Sequence, residues 1–334
     1  MTRLRMNQAI SLAIAEEMSR DERVIVMGED VADAEGPFKT SEGLLARFGP
    51  VRVRDTPISE MGFVGAAVGA AMTGLVPVVE IMFVEFLGVA LDQLVTEAAM
   101  MRYLSAGQFT VPMVIRASVG SGLGFGCQHS QTLERWMFGT PGLKIAAASG
   151  ARSAYELVKA AIREPDPVVL LEPRALYGVR EDVLEAASVP PLGRAEVVHE
   201  GRDVTIVALG RTVSVATAAA RGARWSADII DLRTLLPWDQ DTVLTSVSRT
   251  GRLVIVEENQ YTGGWGAHLS AHVASASFGD LRAPVLRITA PDVPVPYVKD
   301  LEERFLPSPN YVAAQIEALI GTGKLSPHWW ETGS

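Results

Sequence analysis

The chain has 334 residues, 48% hydrophobic and 21% charged, with a formal charge of -9. This is enough apolar material for two cores and excludes a disordered or fibrous chain, while the acidic balance gives no electrostatic basis for binding nucleic acid. A single cysteine, Cys127, excludes an intrachain disulfide and suits a reducing compartment, and no charge-free run is long enough to span a membrane.

The amino-terminal MTRLRMNQAISLAIAEEM sets basic residues before an apolar run, but Glu16 and Glu17 interrupt it. Its spacing predicts an amphipathic helix over 6–19 rather than a signal peptide, and the expected location is the cytoplasm. VIVMG at 24–28 has the pattern of a buried parallel strand leading into a loop that begins with Glu29 and Asp30. A loop with a short helix is expected over 32–49, and VRVRD at 51–55 delivers the chain to PISEMGFVGAAVGAAMTG at 57–74.

That last stretch predicts a helix with a potential cap in Ser59 and Glu60 in its first turn. Gly62, Gly65, Ala66, Gly69 and Ala70 recur at spacings of three and four and share one face, where another backbone can approach closely. Glu60 has two readings at this point. Its carboxylate can simply complement the positive end of the helix dipole, or it can be a proton-sharing group at the edge of a buried crevice.

VPVVEIM at 76–82 predicts a strand, followed by one long helix over 84–104. Phe83 and Phe86 at this junction read as core residues or as a stacking wall for a planar heterocycle. VPMVIRAS at 111–118 is the next strand, and the glycines between Gly120 and Gly126 form a pliable loop before a helix expected from about Ser130. His129 sits between them, placed either to exchange a proton in a crevice or to bond on the surface beside a capping Ser130. The loop lacks the Lys-Ser/Thr ending of a P-loop and the spacing of a dinucleotide fingerprint. LKIAAA at 143–148, a helix over about 152–163 and PVVLLEP at 167–173 complete a doubly wound α/β domain.

The proline-containing stretch 178–201 breaks this rhythm and reads as a connection. A second alternation follows, with strands at 205–210, 226–232, 252–258 and 284–289 and helices at 213–223, 238–249, after Gly264, and near 311–320. The domains expected are therefore residues 1–180 and 202–334, joined by 181–201. Cys127 reads as structural, and His268 and His272 share a helical face without the glutamate of a zinc-protease motif.

In chain order, TPISEMGFVGAAVGAAMTG, EFLGVALDQ, QHSQTLE with PGLKIA, EPRALYG, IIDLRTLLPWD and PDVPVPY cover nearly the whole sequence. In that combination the chain resembles the beta subunit of thiamine-diphosphate-dependent 2-oxo acid dehydrogenases, a group that includes pyruvate, branched-chain 2-oxo acid and acetoin dehydrogenases. The resemblance implies an α/β chain made of a transketolase-like pyrimidine-binding domain followed by a transketolase carboxyl-terminal domain. It implies an alpha2-beta2 heterotetramer, an alpha subunit holding the diphosphate and its Mg2+, and delivery of the acyl group to a lipoyl-bearing acyltransferase core. The absence of a GDG-to-Asn motif here agrees with half an active site.

By the same resemblance Glu60 would hydrogen bond N1' of the cofactor's aminopyrimidine and so activate it. Phe86 would help hold the pyrimidine, and Glu29 joins them as a cofactor-contact candidate. His129 would act near the substrate and incoming lipoyl group. Met113, Ala161, Ile162, Glu164 and Asp166 match a potassium-binding loop region of some relatives, with several ligands being backbone oxygens. The chain departs from the pattern at Gly139, where many relatives carry a second histidine, at His268, where glutamate is frequent, and in a shorter stretch between Thr212 and Asp228. The implied reaction is oxidative decarboxylation of pyruvate or a branched-chain 2-oxo acid. The alternatives are acetoin as substrate and a non-catalytic, self-paired relative.

Overall fold

The computed structural model describes residues 1–184 and 189–331 and divides into two compact units. One comprises Met1–Val119, Trp136–Leu192 and Leu235–Pro237; the other comprises Gly120–Arg135, Gly193–Thr234 and Trp238–Ser334, of which residues 332–334 lie outside the described part.

The first unit is built on a seven-stranded sheet. Its order runs Thr234–Leu236, Lys144–Ala147, Val168–Pro173, Val114–Val119, Val76–Ile81, Val24–Gly28, Val53–Asp55. From Lys144–Ala147 to the far edge every pairing is parallel, and most of these strands are buried along their length, as parallel sheets require, with Glu80, Arg116 and Glu172 set among their apolar residues. The chain passes from Val24–Gly28 outward to Val53–Asp55 and then returns to the other side with Val76–Ile81. The order reverses between the strands ending at Gly28 and Ile81, and the crevice beyond their carboxyl ends is where open α/β sheets place ligands. Gly28 makes the turn there: a side-chain carbon on it would lie 2.6 Å from the Glu80 carbonyl oxygen, at a φ of +157°.

Helices Met6–Arg20 and Ala151–Ile162 bury Met6, Ile10, Ile14, Leu157 and Val158 in the core of this unit. A less ordinary core element is Arg116, 1% exposed. It makes a two-pronged pair with Glu172 at 2.7 and 2.9 Å and reaches Glu80 at 3.0 Å; Tyr177 and Thr40 donate to the two carboxylates at 2.8 Å each. Burial opposes charge on the guanidinium, but Glu172 and Glu80 more than offset it and hold Arg116 protonated. Burial first, then the Glu80 charge, push the Glu172 carboxyl above its usual range, and the Arg116 guanidinium offsets only part of that.

The second unit has a five-stranded sheet, ordered Leu286–Ala290, Leu253–Gln260, Val204–Ala208, Ala227–Asp231, Glu196–His199, with the last strand antiparallel. It too reverses order, between the strands ending at Ala208 and Gln260.

Several expectations are corrected. The long helix over 84–104 is broken into a 3-10 turn at Val84–Phe86, a short helix at Leu87–Leu91, a π-helical stretch at Asp92–Ala98 and a last turn at Met101–Leu104. No helix starts at Ser130; only the turn Glu134–Trp136 follows, because the carbonyls of Ser130 and Gln131 accept from the Ser121 hydroxyl and the Gly120 amide instead. The connection 181–201 carries structure: Arg180–Val183 pairs antiparallel with Thr2–Arg5, and Glu196–His199 joins the second sheet. Residues 185–188 of that connection lie outside the described residues.

Candidate active site

The first unit's switch point gathers three of the sequence candidates. Glu29 follows the strand Val24–Gly28, the 3-10 turn carrying Phe86 follows Val76–Ile81, and Glu60 opens the helix that follows Val53–Asp55. Glu60 is 8% exposed, and the Glu60–Met72 helix turns Phe63, Val64, Ala67, Val68 and Ala71 into the protein. Ser59 is not the side-chain cap it resembled: at φ -165° and ψ 74° its hydroxyl makes no capping bond. The helix amino terminus therefore lacks that local acceptor, and Glu60 is its only acidic residue in the first turn.

Glu29 lies within hydrogen-bonding reach of Glu60. Its carboxyl is pushed up by burial first, then by the negative charges of Glu60 and Asp30 and by the hydrogen bond with Glu60. Glu29 therefore holds a proton more readily than an ordinary glutamate does. The residue after Glu29 is itself constrained, since Asp30 takes a left-handed φ of 55°.

Phe86 is half-buried and packs edge-on against Phe83 at 5.7 Å; Phe83 meets Phe38 at 5.9 Å and carries the Arg174 guanidinium 4.8 Å above its ring. The aromatic wall anticipated at 83–86 is thus a cluster locked by a cation from the strand Val168–Pro173 side of the sheet. Thr56 was not singled out in the sequence. Its amide donates to the Gly28 carbonyl at 2.9 Å, and its buried hydroxyl has no hydrogen-bond partner among the described residues. An unpartnered hydroxyl at the same end of the sheet as the two carboxylates and the aromatic cluster fits a polar heterocycle, which offers both a stacking face and ring nitrogens.

His129 belongs to the second unit, half-buried in the glycine loop, with its amide donating to the Gly126 carbonyl at 3.2 Å. The potassium candidates belong to the first unit. There the Glu164 carboxylate pairs with Lys144, and Asp166 is held by Arg102 at 2.6 Å and by Lys144 at 3.6 Å. Both side chains are thus committed to cations. Among the described residues no group of three or more His, Cys, Asp or Glu side chains could hold a metal ion, which leaves backbone oxygens such as those of Met113, Ala161 and Ile162 as the oxygen donors at that loop. Gly139 is exposed, and a side-chain carbon there would meet nothing within 4 Å, so the departure leaves open space.

Comparison with known proteins places this geometry. Residues 2–180 match the transketolase pyrimidine-binding domain and residues 193–312 the transketolase C-terminal domain. The chain is 45% identical over 323 residues to the mitochondrial pyruvate dehydrogenase E1 component subunit beta-1 of Arabidopsis thaliana, covering 95% of this chain and 87% of that protein. It belongs to the beta-subunit family of thiamine-diphosphate-dependent 2-oxo acid dehydrogenases.

Other beta subunits of the family agree. The pyruvate dehydrogenase E1 beta subunit of Rhizobium meliloti is 42% identical, covering 96% of this chain and 70% of that protein; the beta subunit of acetoin:2,6-dichlorophenolindophenol oxidoreductase from Cupriavidus necator is 41% identical, covering 96% and 99%. Among solved structures, a split-gene transketolase described as an inactive beta4 tetramer superposes with a TM-score of 0.78 at 25% identity, covering 95% of this chain and 98% of that one. The chain is thus an enzyme subunit with the transketolase-type α/β fold expected of it, and family membership implies a holoenzyme that uses thiamine diphosphate and Mg2+.

The cytoplasmic expectation is corrected. Plant beta subunits 44–45% identical to the chain are named as mitochondrial. The single cysteine suits a reducing compartment, and that property does not separate the cytosol from an organelle matrix. Among the described residues no helix is long and apolar enough to cross a membrane.

Proposed function

We propose that this beta subunit supplies the cofactor-activating half of a 2-oxo acid dehydrogenase site, with pyruvate or a branched-chain 2-oxo acid as substrate, and that an alpha subunit supplies the diphosphate and Mg2+ half in an alpha2-beta2 assembly. The observation that carries this reading is Glu60, buried at a helix start beside a second carboxylate whose proton affinity is raised, at the topological switch point of the family's pyrimidine-binding domain. When bound, thiamine diphosphate supplies the nucleophilic carbon that attacks the 2-oxo group.

This chain's residues prepare that event. Glu60 would hydrogen bond N1' of the aminopyrimidine, and Glu29, whose carboxyl is pushed up by burial and by the Glu60 charge, stands within its reach. Phe86 presents a face to the ring, and the Thr56 hydroxyl offers an unused hydrogen bond. His129 manages a proton during acyl transfer to a lipoyl group on the acyltransferase core. The potassium site is proposed on the backbone oxygens of Met113, Ala161 and Ile162, with Glu164 and Asp166 framing the loop.

Partner binding is supported by the Glu60 helix. Gly62, Ala66 and Gly69 are exposed and Gly65 is half-buried, so the small face is left uncovered while the opposite face is packed. We take residues 1–180 and 202–334 as the functional domains and 181–201 as their connection. Acetoin is the second reading, favoured by the relative that acts on it and by the open space at Gly139. Purifying the chain with its alpha partner and assaying pyruvate, branched-chain 2-oxo acids and acetoin with an artificial electron acceptor tests the proposal. Turnover of a 2-oxo acid supports it, turnover of acetoin alone selects the second reading, and an assembled complex inert to all three contradicts both.

A further inference from the structure

The loop carrying His129 is held by two carboxylates. Gly120, Gly122, Gly124 and Gly126 all take left-handed φ angles, between +74° and +98°, alternating with Ser121, Leu123 and Phe125. The alternation turns Leu123 and Phe125 outward, 51% and 42% exposed, and leaves a line of backbone amides to be satisfied from within. Glu302, 2% exposed, meets it with both oxygens: Oε1 accepts from the Gly122 amide at 2.8 Å and Oε2 from the Gly124 amide at 3.0 Å. Glu258, at the switch point of the second sheet, accepts from the Ser121 amide at 2.6 Å through Oε1, while its Oε2 lies 3.7 Å from Arg211.

Gly120 adopts a φ of +94°, which favours glycine, and a side-chain carbon there would also lie 2.9 Å from that Glu258 oxygen. Beyond the clamp, the loop closes on itself: the Gly120 amide donates to the Gln131 carbonyl at 3.0 Å, and the Ser121 hydroxyl to the Ser130 carbonyl at 2.7 Å. His129 therefore sits on an arch with three of its amides on one side fixed by charge-assisted hydrogen bonds and its other side fixed to the base.

We propose that Glu302 and Glu258 are positioning residues that set where His129 stands during acyl transfer, an inference that rests on the acyl-transfer role proposed above for His129. Neither needs to touch substrate or cofactor. A glycine-rich segment without such anchors samples many backbone states, and a misplacement of an ångström is enough to lower a rate about a hundredfold.

The test uses the alpha-beta holoenzyme with Glu302→Ala, Glu302→Gln and His129→Ala. Three quantities are read: amide hydrogen exchange of peptides within 120–131, turnover with an artificial electron acceptor, and acylation of a free lipoyl domain. The clamp predicts that Glu302→Ala raises exchange in that loop by roughly tenfold or more without raising it elsewhere, and lowers kcat for lipoyl acylation by about tenfold with the KM for the lipoyl domain little changed. Turnover with the artificial acceptor falls much less, and Glu302→Gln, which keeps one acceptor oxygen, recovers part of the acylation. A merely structural role would lower both turnovers together. Unchanged loop exchange in Glu302→Ala overturns the proposal, as does a loosened loop with normal acylation when His129→Ala is impaired. If His129→Ala itself acylates normally, the role of His129 is what fails, and the proposal falls with it.

Discussion

Glu134 shows what a single carboxyl can reveal. It is 4% exposed, and burial first, then the nearby Glu257 and Glu258 charges, push its carboxyl up to about 7. Its Oε2 atom has no hydrogen-bond partner among the described residues. The folded chain holds a proton on this group that the unfolded chain releases near 4.5, so between pH 4.5 and about 7 the folded state binds more protons. Stability from this group is therefore present at low pH and is lost as pH rises through about 7, a change on the order of 3 kcal/mol. Glu134→Gln, which keeps the shape without the ionisation, should gain stability relative to the parent at pH 8 and gain little at pH 4, below the unfolded value. Thermal unfolding of both proteins at the two pH values measures this; a pH-independent difference would contradict it. None of this was legible in TLERW, which reads as an ordinary polar start to a helix. The helix that Glu60 opens, by contrast, was legible because its motif is long and ordered, whereas the nearby Thr56 carries no pattern at all.

At the scale of elements, strands were legible where the apolar runs were uninterrupted, as at 24–28, 76–82 and 167–173. Long-range pairing was not: the strand Thr2–Arg5 exists because Arg180–Val183 pairs with it, and no local period announces that. Likewise the helix expected from Ser130 gave way to a loop whose carbonyls were recruited elsewhere. The buried Arg116 ladder ties three neighbouring strands through Glu80 and Glu172. Replacing Arg116 with Leu strands two carboxylates in the sheet and should cost roughly 3–5 kcal/mol, read as a lowered denaturation midpoint; a loss below about 1 kcal/mol would contradict the ladder's role.

The Glu60 helix supplies a second test at this scale. A side-chain carbon at Gly69 meets nothing within 4 Å. Gly69→Trp should leave the chain folded while weakening assembly with the alpha subunit about tenfold or more, as followed by sedimentation; assembly of parental strength would remove that face from the interface.

At the scale of the whole molecule, each unit is an α/β sheet with its own reversal of strand order, and each reversal places residues that the proposed chemistry uses. The first presents Glu29, Glu60 and Phe86; the second anchors the loop of His129. Sequence order made both units visible, since strands and helices alternate almost throughout. It did not show that residues 120–135 fold with the second unit, because that depends on Glu258 and Glu302 far along the chain. The most direct measurement is deuterium exchange at the thiazolium C2 of thiamine diphosphate bound to the reconstituted alpha-beta complex, comparing the parent with Glu60→Gln. The account predicts intact assembly with exchange slowed by about a hundredfold or more. Exchange at the parental rate in a fully assembled, cofactor-loaded variant would contradict it.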